Sequence, residues 1–235
     1  IQSRQRVSCM HRGFCASVLA VLVLCHAPAR AAIITYVTPG GSTTGGQSVS
    51  ASALFTTSTN QVTIFLENLQ ANPVSAVQCL SGLSFTLDTG EILGTLSSSV
   101  GVQRSIIGNG TYTDGASVAT GWALATVAAS LKVDLLGTST APKNTIVGPP
   151  DGANKYSAGN NSVTGGSHNP HLGLNATFTI SVPGVTSNSQ VSSAVFQFNT
   201  SAGNTVVGQQ GGVVPEPAAG AVLALGAIAF LRRNR

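Results

Sequence analysis

Four stretches of this chain alternate apolar and polar residues with a period of two, and that pattern commits it to β structure. From Gln61 to Leu69, Val62, Ile64 and Leu66 take one side while Thr63, Phe65 and Glu67 take the other. Leu83, Phe85 and Leu87 alternate with Ser84, Thr86 and Asp88. Phe178, Ile180 and Val182 alternate with Thr177, Thr179 and Ser181, and Ala194, Phe196 and Phe198 with Val195, Gln197 and Asn199. Successive strand side chains point to opposite faces, so each stretch reads as a strand with one buried face. Turn chemistry punctuates the chain at Asn72-Pro73, Asp88-Thr89-Gly90, Asn109-Gly110, Asp151-Gly152, Pro183-Gly184 and Ala202-Gly203.

Strands divided by such turns predict an all-β fold, an antiparallel β-sandwich of jelly-roll or immunoglobulin-like type with long polar loops. The segment from Gly121 to Leu136 fits two strands or one short helix. Gly40 to Gly46 reads as a flexible loop, and Asn144 to Asn175 as a long surface loop rich in Gly, Asn and Pro. Gly203 to Gly212 reads as a spacer. No internal repeat is evident.

Composition points the same way. The 235 residues suffice for one sizeable domain, and 43% are apolar. Only 8% are charged, against roughly 25% in ordinary soluble proteins. The central region carries Arg104, Lys132, Lys143 and Lys155 against Glu67, Asp88, Glu91, Asp114, Asp134 and Asp151, a balance of −2. A nucleic-acid binder needs a basic face on its folded domain, so nucleic acid is not an expected partner. The surplus positive charge sits at the ends: Arg4, Arg6, Arg12 and Arg30 in front, Arg232, Arg233 and Arg235 behind.

The front reads as a secretory signal peptide, residues 1–31. The only methionine is Met10, so the start is either Met10 or an unusual codon upstream. Arg12 precedes an apolar run from Phe14 to Leu24, and Pro28 ends any helix. Ala29 and Ala31 supply small residues at −3 and −1, which predicts cleavage before Ala32. The run is shorter than the ~20 residues of a permanent span. Lipidation at Cys25 is disfavoured by the bulky Leu24 before it. Cleavage removes Cys9, Cys15 and Cys25 and leaves Cys79 alone, expected to be a buried, inert thiol.

The back reads Val213-Val214-Pro215-Glu216-Pro217, then an uncharged stretch from Ala218 to Leu231, then Arg232-Arg233-Asn234-Arg235. Pro217 can open a helix, and residues 218–231 are apolar on every face. As a helix they span about 21 Å, short of the ~30 Å hydrocarbon core but sufficient for a temporary transmembrane anchor. The terminal arginines act as a cytoplasmic stop.

These three parts in this order resemble the PEP-CTERM sorting signal of Gram-negative, exopolysaccharide-producing bacteria. The resemblance covers residues 213–235, with Pro215, Glu216 and Pro217 as the motif. It implies a substrate of exosortase, an integral-membrane transpeptidase, delivered by the Sec translocon and signal peptidase. The region from Thr63 to Ser84, with Asn68, Asn72-Pro73 and Gly82-Leu83-Ser84-Phe85, is more loosely similar to uncharacterised proteins of that family. So is the run through His171-Leu172, Phe178, Val185-Thr186 and Phe196-Gln197-Phe198. Neither brings an activity.

Catalytic patterns are sparse. His168-Asn169-Pro170-His171 is the one histidine pair of residues 32–212, but Pro170 separates the two and no carboxylate or thiol completes a metal set. Asp88 and Glu91 flank one turn; glycoside hydrolysis requires two opposed carboxylates, and a solvated turn is the simpler reading. Gly-x-Ser-x-Gly, phosphate-loop and dinucleotide motifs are absent from the sequence. Tyr36, Tyr112, Tyr156 and Trp122 are the candidate sugar platforms, with Trp122 assigned to the core.

The expectation is therefore a non-enzymatic protein without cofactor or metal. It is carried to the cell surface or extracellular matrix, anchored transiently in the inner membrane, and associated with exopolysaccharide or biofilm. A secreted carbohydrate-binding module is the alternative, with a secreted hydrolase behind it.

Overall fold

The computed structural model describes residues 32–137 and 142–211. The expected signal peptide with Ala29 and Ala31, the sorting motif Pro215, Glu216 and Pro217, the helix 218–231 and Arg232, Arg233 and Arg235 lie outside the described residues. Ala32, the expected first mature residue, opens the first strand.

The described chain is all-β. Its strands are β1 (Ala32–Val37), β2 (Thr43–Thr44), β3 (Gln47–Ser48), β4 (Ala51–Ser58), β5 (Gln61–Asn68), β6 (Leu80–Leu87), β7 (Thr95–Ile106) and β8 (Tyr112–Ala119), followed by β9 (Ala123–Val127), β10 (Ser130–Asp134), β11 (Ile146–Val147), β12 (His171–Ser181), β13 (Val191–Phe198), β14 (Thr205–Val207) and β15 (Gln209–Gln210). One four-residue helix, α1 (Asn161–Thr164), and a 3-10 turn at Ala76–Gln78 complete it.

The alternation delivers its faces as expected. Val62, Ile64 and Leu66 are fully buried, as are Phe178 and Ile180, while Phe65 faces out. Phe55 of β4 meets Phe85 of β6 at 5.3 Å between ring centroids, although these strands are not hydrogen-bonded neighbours. The sheet therefore folds over on itself, and its inner faces share one core. Each fully buried Phe or Leu there contributes about 2–3 kcal/mol of transfer free energy.

Thirteen strands form one sheet, nine of them along the path β14-β13-β6-β11-β12-β5-β4-β1-β15. The path begins and ends on the same piece of chain. β14 pairs with β13 (Val195 opposite Val207), and β15 pairs with β1 (Tyr36 opposite Gln210). Between them Gly208 donates its N–H to Ala194 O at 2.8 Å. A Cβ at Gly208 would stand 2.9 Å from Phe196 Cε2 and 3.1 Å from Ala194 O, so only glycine lets the chain cross here unhindered. Thr205–Gln210 is a closing strand, and the spacer expected at 203–212 is a structural member of the sheet. Two hairpins branch from this circuit: β7–β8 from β12, and β10–β9 from β6.

The sheet is mixed rather than purely antiparallel, because β11 runs parallel to β12 (Ile146 opposite Leu172). The ambiguous 121–136 segment contains the β9–β10 hairpin. The expected flexible loop at 40–46 enters a small hairpin, with Thr44 opposite Gln47 and Gly45 and Gly46 at positive φ in its turn. The expected surface loop at 144–175 is instead a packed lobe. It carries β11 and α1, and it buries Val147, Tyr156 and Val163 with Cys79 and Ile106 in a second apolar cluster.

Candidate functional site

Most of the buried titratable side chains, Cys79, Arg104, Tyr156 and His171, lie at that lobe. Arg104 points inward from β7 and is only 5% exposed. Its Nε and Nη2 donate to the two carboxylate oxygens of Asp114 on β8, both at 2.7 Å. Its Nη1 donates to Tyr156 Oη at 2.9 Å, and Tyr156 Oη donates to Gly148 O at 2.7 Å. The guanidinium also lies 4.1 Å from the Tyr112 ring centroid. Gly173 leaves the room, since a Cβ there would stand 2.9 Å from Arg104 Nε. Burial pulls the guanidinium pKa down, but the bonds to Asp114 and Tyr156 outweigh it and the net direction is up. Burial pushes the Tyr156 phenol to about 12, against an opposing pull from Arg104. Fork, carboxylate and phenol satisfy one another, which makes the group a strut between β7, β8 and the lobe.

His171 stands opposite Arg104 on β12 and is fully buried. Its Nε2 lies 3.0 Å from Val163 O and its Nδ1 2.9 Å from Thr145 Oγ1. A carbonyl can only accept, so Nε2 carries the proton and Nδ1 accepts from the threonine. Burial depresses its pKa to about 4. Both nitrogens are engaged, so the ring is structural and closed to a metal. His168 lies apart, with Nδ1 3.3 Å from Pro142 O. Among the described residues no three His, Cys, Asp or Glu side chains form a group able to hold a metal ion.

The other expected residues are equally absorbed. Cys79 is fully buried, as its apolar neighbours imply, and burial lifts its thiol to about 12 with a smaller opposing effect from Thr145. Asp88 accepts from the Gln190 N–H at 2.9 Å, and Glu91 packs against Gly184, so each serves a turn. Trp122 is in the core as expected. Tyr36 and Tyr156 are buried too, which corrects their reading as exposed sugar platforms: Tyr36 caps Val191 O at 3.0 Å, and Tyr156 belongs to the strut. Tyr112 is half-buried, with its hydroxyl donating to Asn154 at 2.7 Å.

What the body presents outward is a sheet face. Strands β1, β4, β5, β12, β7 and β8 align Thr35, Leu54, Phe65, Thr177, Val100 and Ala119 in one transverse row. Leu54, Phe65 and Val100 are 36%, 37% and 44% exposed. On one side runs the mostly hydroxyl row Thr56, Thr63, Thr179 and Ser98, which ends at the exposed Ile33 of β1, and on the other Ser52, Glu67 and Asn175, which ends at Val37. Glu67 is the one charged side chain in these three rows. The sequence placed Thr63, Phe65 and Glu67 on an outward face, but the assembly of the row from residues up to 142 positions apart (Thr35 to Thr177) is a product of the sheet.

The fold and its outward face define an all-β protein whose polar clusters are structural and whose exposed sheet is apolar and hydroxyl-bearing. No protein-family model, no curated protein and no solved structure matches this chain.

Proposed function

We propose that this chain is an exported cell-surface or extracellular-matrix protein, a structural or interaction partner rather than a catalyst. In this reading its described body is a β-sandwich carried as cargo. The Sec translocon and signal peptidase deliver it, and an exosortase-type transpeptidase acts at Pro215, Glu216 and Pro217. The observation that carries the reading is where the body takes in and releases its chain. β15 runs antiparallel to β1, and Gly211 N–H donates to Thr35 O at 2.8 Å. Gly211 is thus about 10 Å, three residues of strand, from the level of Ala32. Ala32 and Gly211, the first and last described residues, therefore lie on neighbouring strands of one sheet edge.

That geometry suits a domain held by both ends at a membrane. The closing strand takes up the chain as far as Gln210, so four residues separate it from Pro215, a reach of at most about 18 Å. In this reading the Ala32 end of the sheet faces the bilayer, and the lobe with Tyr112, Asn154 and Lys155 projects away. The consumption of Arg104, Asp114, Tyr156 and His171 in internal bonds further supports a structural role.

Expression of the full chain in hosts with and without an exosortase tests the proposal. The expected result is loss of the tail mass and release from the inner membrane only where the enzyme is present. Identical mass and location in both hosts would overturn it.

A further inference from the structure

We propose that the outward face of β1, β4, β5, β12, β7 and β8 is a self-association surface, and that its occupant is the same face of a second copy of this chain. The argument rests on area, anatomy and charge. Six strands at a spacing of about 4.8 Å and seven residues at about 3.3 Å give a plan area of about 500 Å². Two copies bring together about 1,000 Å² before surface corrugation is counted, which reaches the lower bound for a specific interface.

The anatomy is that of an interface: an apolar centre with a polar margin. Leu54, Phe65 and Val100 run through the middle; on β4, β5 and β12 they are flanked by Thr56, Thr63 and Thr179 on one side and Ser52, Glu67 and Asn175 on the other, and the apolar surface continues at the β1 edge through Ile33. Twisted sheets pack face to face in an aligned arrangement, as the two inner faces of β folds do.

Charge selects the partner. A two-fold axis lying along the central row sets Phe65 over Phe65 and carries each margin onto the opposite margin of the other copy. Glu67 then faces the Thr63 hydroxyl row of the second copy rather than another Glu67. The face is self-complementary, with a carboxylate meeting donors and no like charges opposed. This inference concerns the folded body alone and stands or falls independently of sorting.

The test uses the full chain in mild detergent, with mass measured by light scattering as a function of concentration. The wild type is expected to be dimeric at roughly 100 μM and to dissociate on dilution. Phe65→Lys and Phe65→Glu each place like charges across the axis, and each is expected to weaken the dimer at least tenfold while leaving the thermal midpoint unchanged at a dilution where both proteins are monomeric. An equimolar mixture of the two variants is expected to restore a dimer, now a heterodimer, because residue 65 meets residue 65. A monomeric wild type, a dimer indifferent to either variant, or a mixture that stays monomeric would each refute the proposal. A monomer that is retarded in a neutral-polysaccharide gel through Phe65 would assign the face to glycan instead.

Discussion

His171 makes the folded body sensitive to mild acid, and the size of the effect follows from its burial. Its imidazole titrates at about 4 in the fold, against an ordinary value of about 6.5 in the unfolded chain. Above pH 6.5 both states hold the neutral ring, and its contribution to stability is fully present. As pH falls from 6.5 to 4, the unfolded chain takes up a proton that the folded chain refuses, and stability is lost. The full loss, reached near pH 4, is about 3 kcal/mol, and about 2 kcal/mol is already gone at pH 5. Burial explains why the ring stays neutral, outweighing the Val163 carbonyl, which favours the protonated form; in the neutral ring Nδ1 accepts from Thr145 and Nε2 donates to Val163. Urea unfolding of the wild type and of His171→Gln at pH 7 and pH 5 isolates the effect, since the carboxylates titrate in both. The wild type is expected to lose about 2 kcal/mol more than the variant across that interval. Should His171→Gln fail to fold, the imidazole resonances of the wild type report instead and are expected to stay unprotonated down to pH 5. Equal losses in the two proteins, or a resonance titrating near 6.5, would show the reasoning to be wrong.

Three further changes probe the body. Asp114→Ala leaves the buried Arg104 fork without its carboxylate and is expected to cost about 2 kcal/mol, below the usual range for broken buried pairs because the Asp114 side chain is 42% exposed; a change under about 0.5 kcal/mol in denaturant midpoints contradicts the strut. Gly208→Val forces a side chain against Phe196 and Ala194 O, so a loss of about 1–3 kcal/mol is expected, with faster amide exchange at Gly211 marking an opened closing strand. Ala128 holds φ at 51° in the β9–β10 turn, and Ala128→Gly is expected to raise stability by about 0.5–1 kcal/mol in the same unfolding assay.

Much was legible along the chain because strand faces are a local property. The alternation at Val62, Ile64 and Leu66 specifies an inner face wherever the strand is placed, and Phe65 is outward for the same reason. The turns at Asp88-Thr89-Gly90 and Pro183-Gly184 follow from glycine's access to positive φ. Cys79 and Trp122 were legible from their apolar neighbours. Other features depend on partners distant in sequence. The 144–175 stretch looks like loop because its composition is polar, yet it folds into a lobe once Tyr156, His171 and Thr145 find Arg104, Val163 and one another.

The sequence by itself determined that this protein is built of strands, which side of each strand is apolar, and where the chain turns, because these follow from a two-residue period and from backbone sterics. Tertiary structure alone decided that Thr205–Gln210 closes the sheet, that a buried ion pair anchors the lobe, and that Leu54, Phe65 and Val100 share one row. Register across strands is set by packing over long separations, and no local pattern encodes which strand will lie beside which.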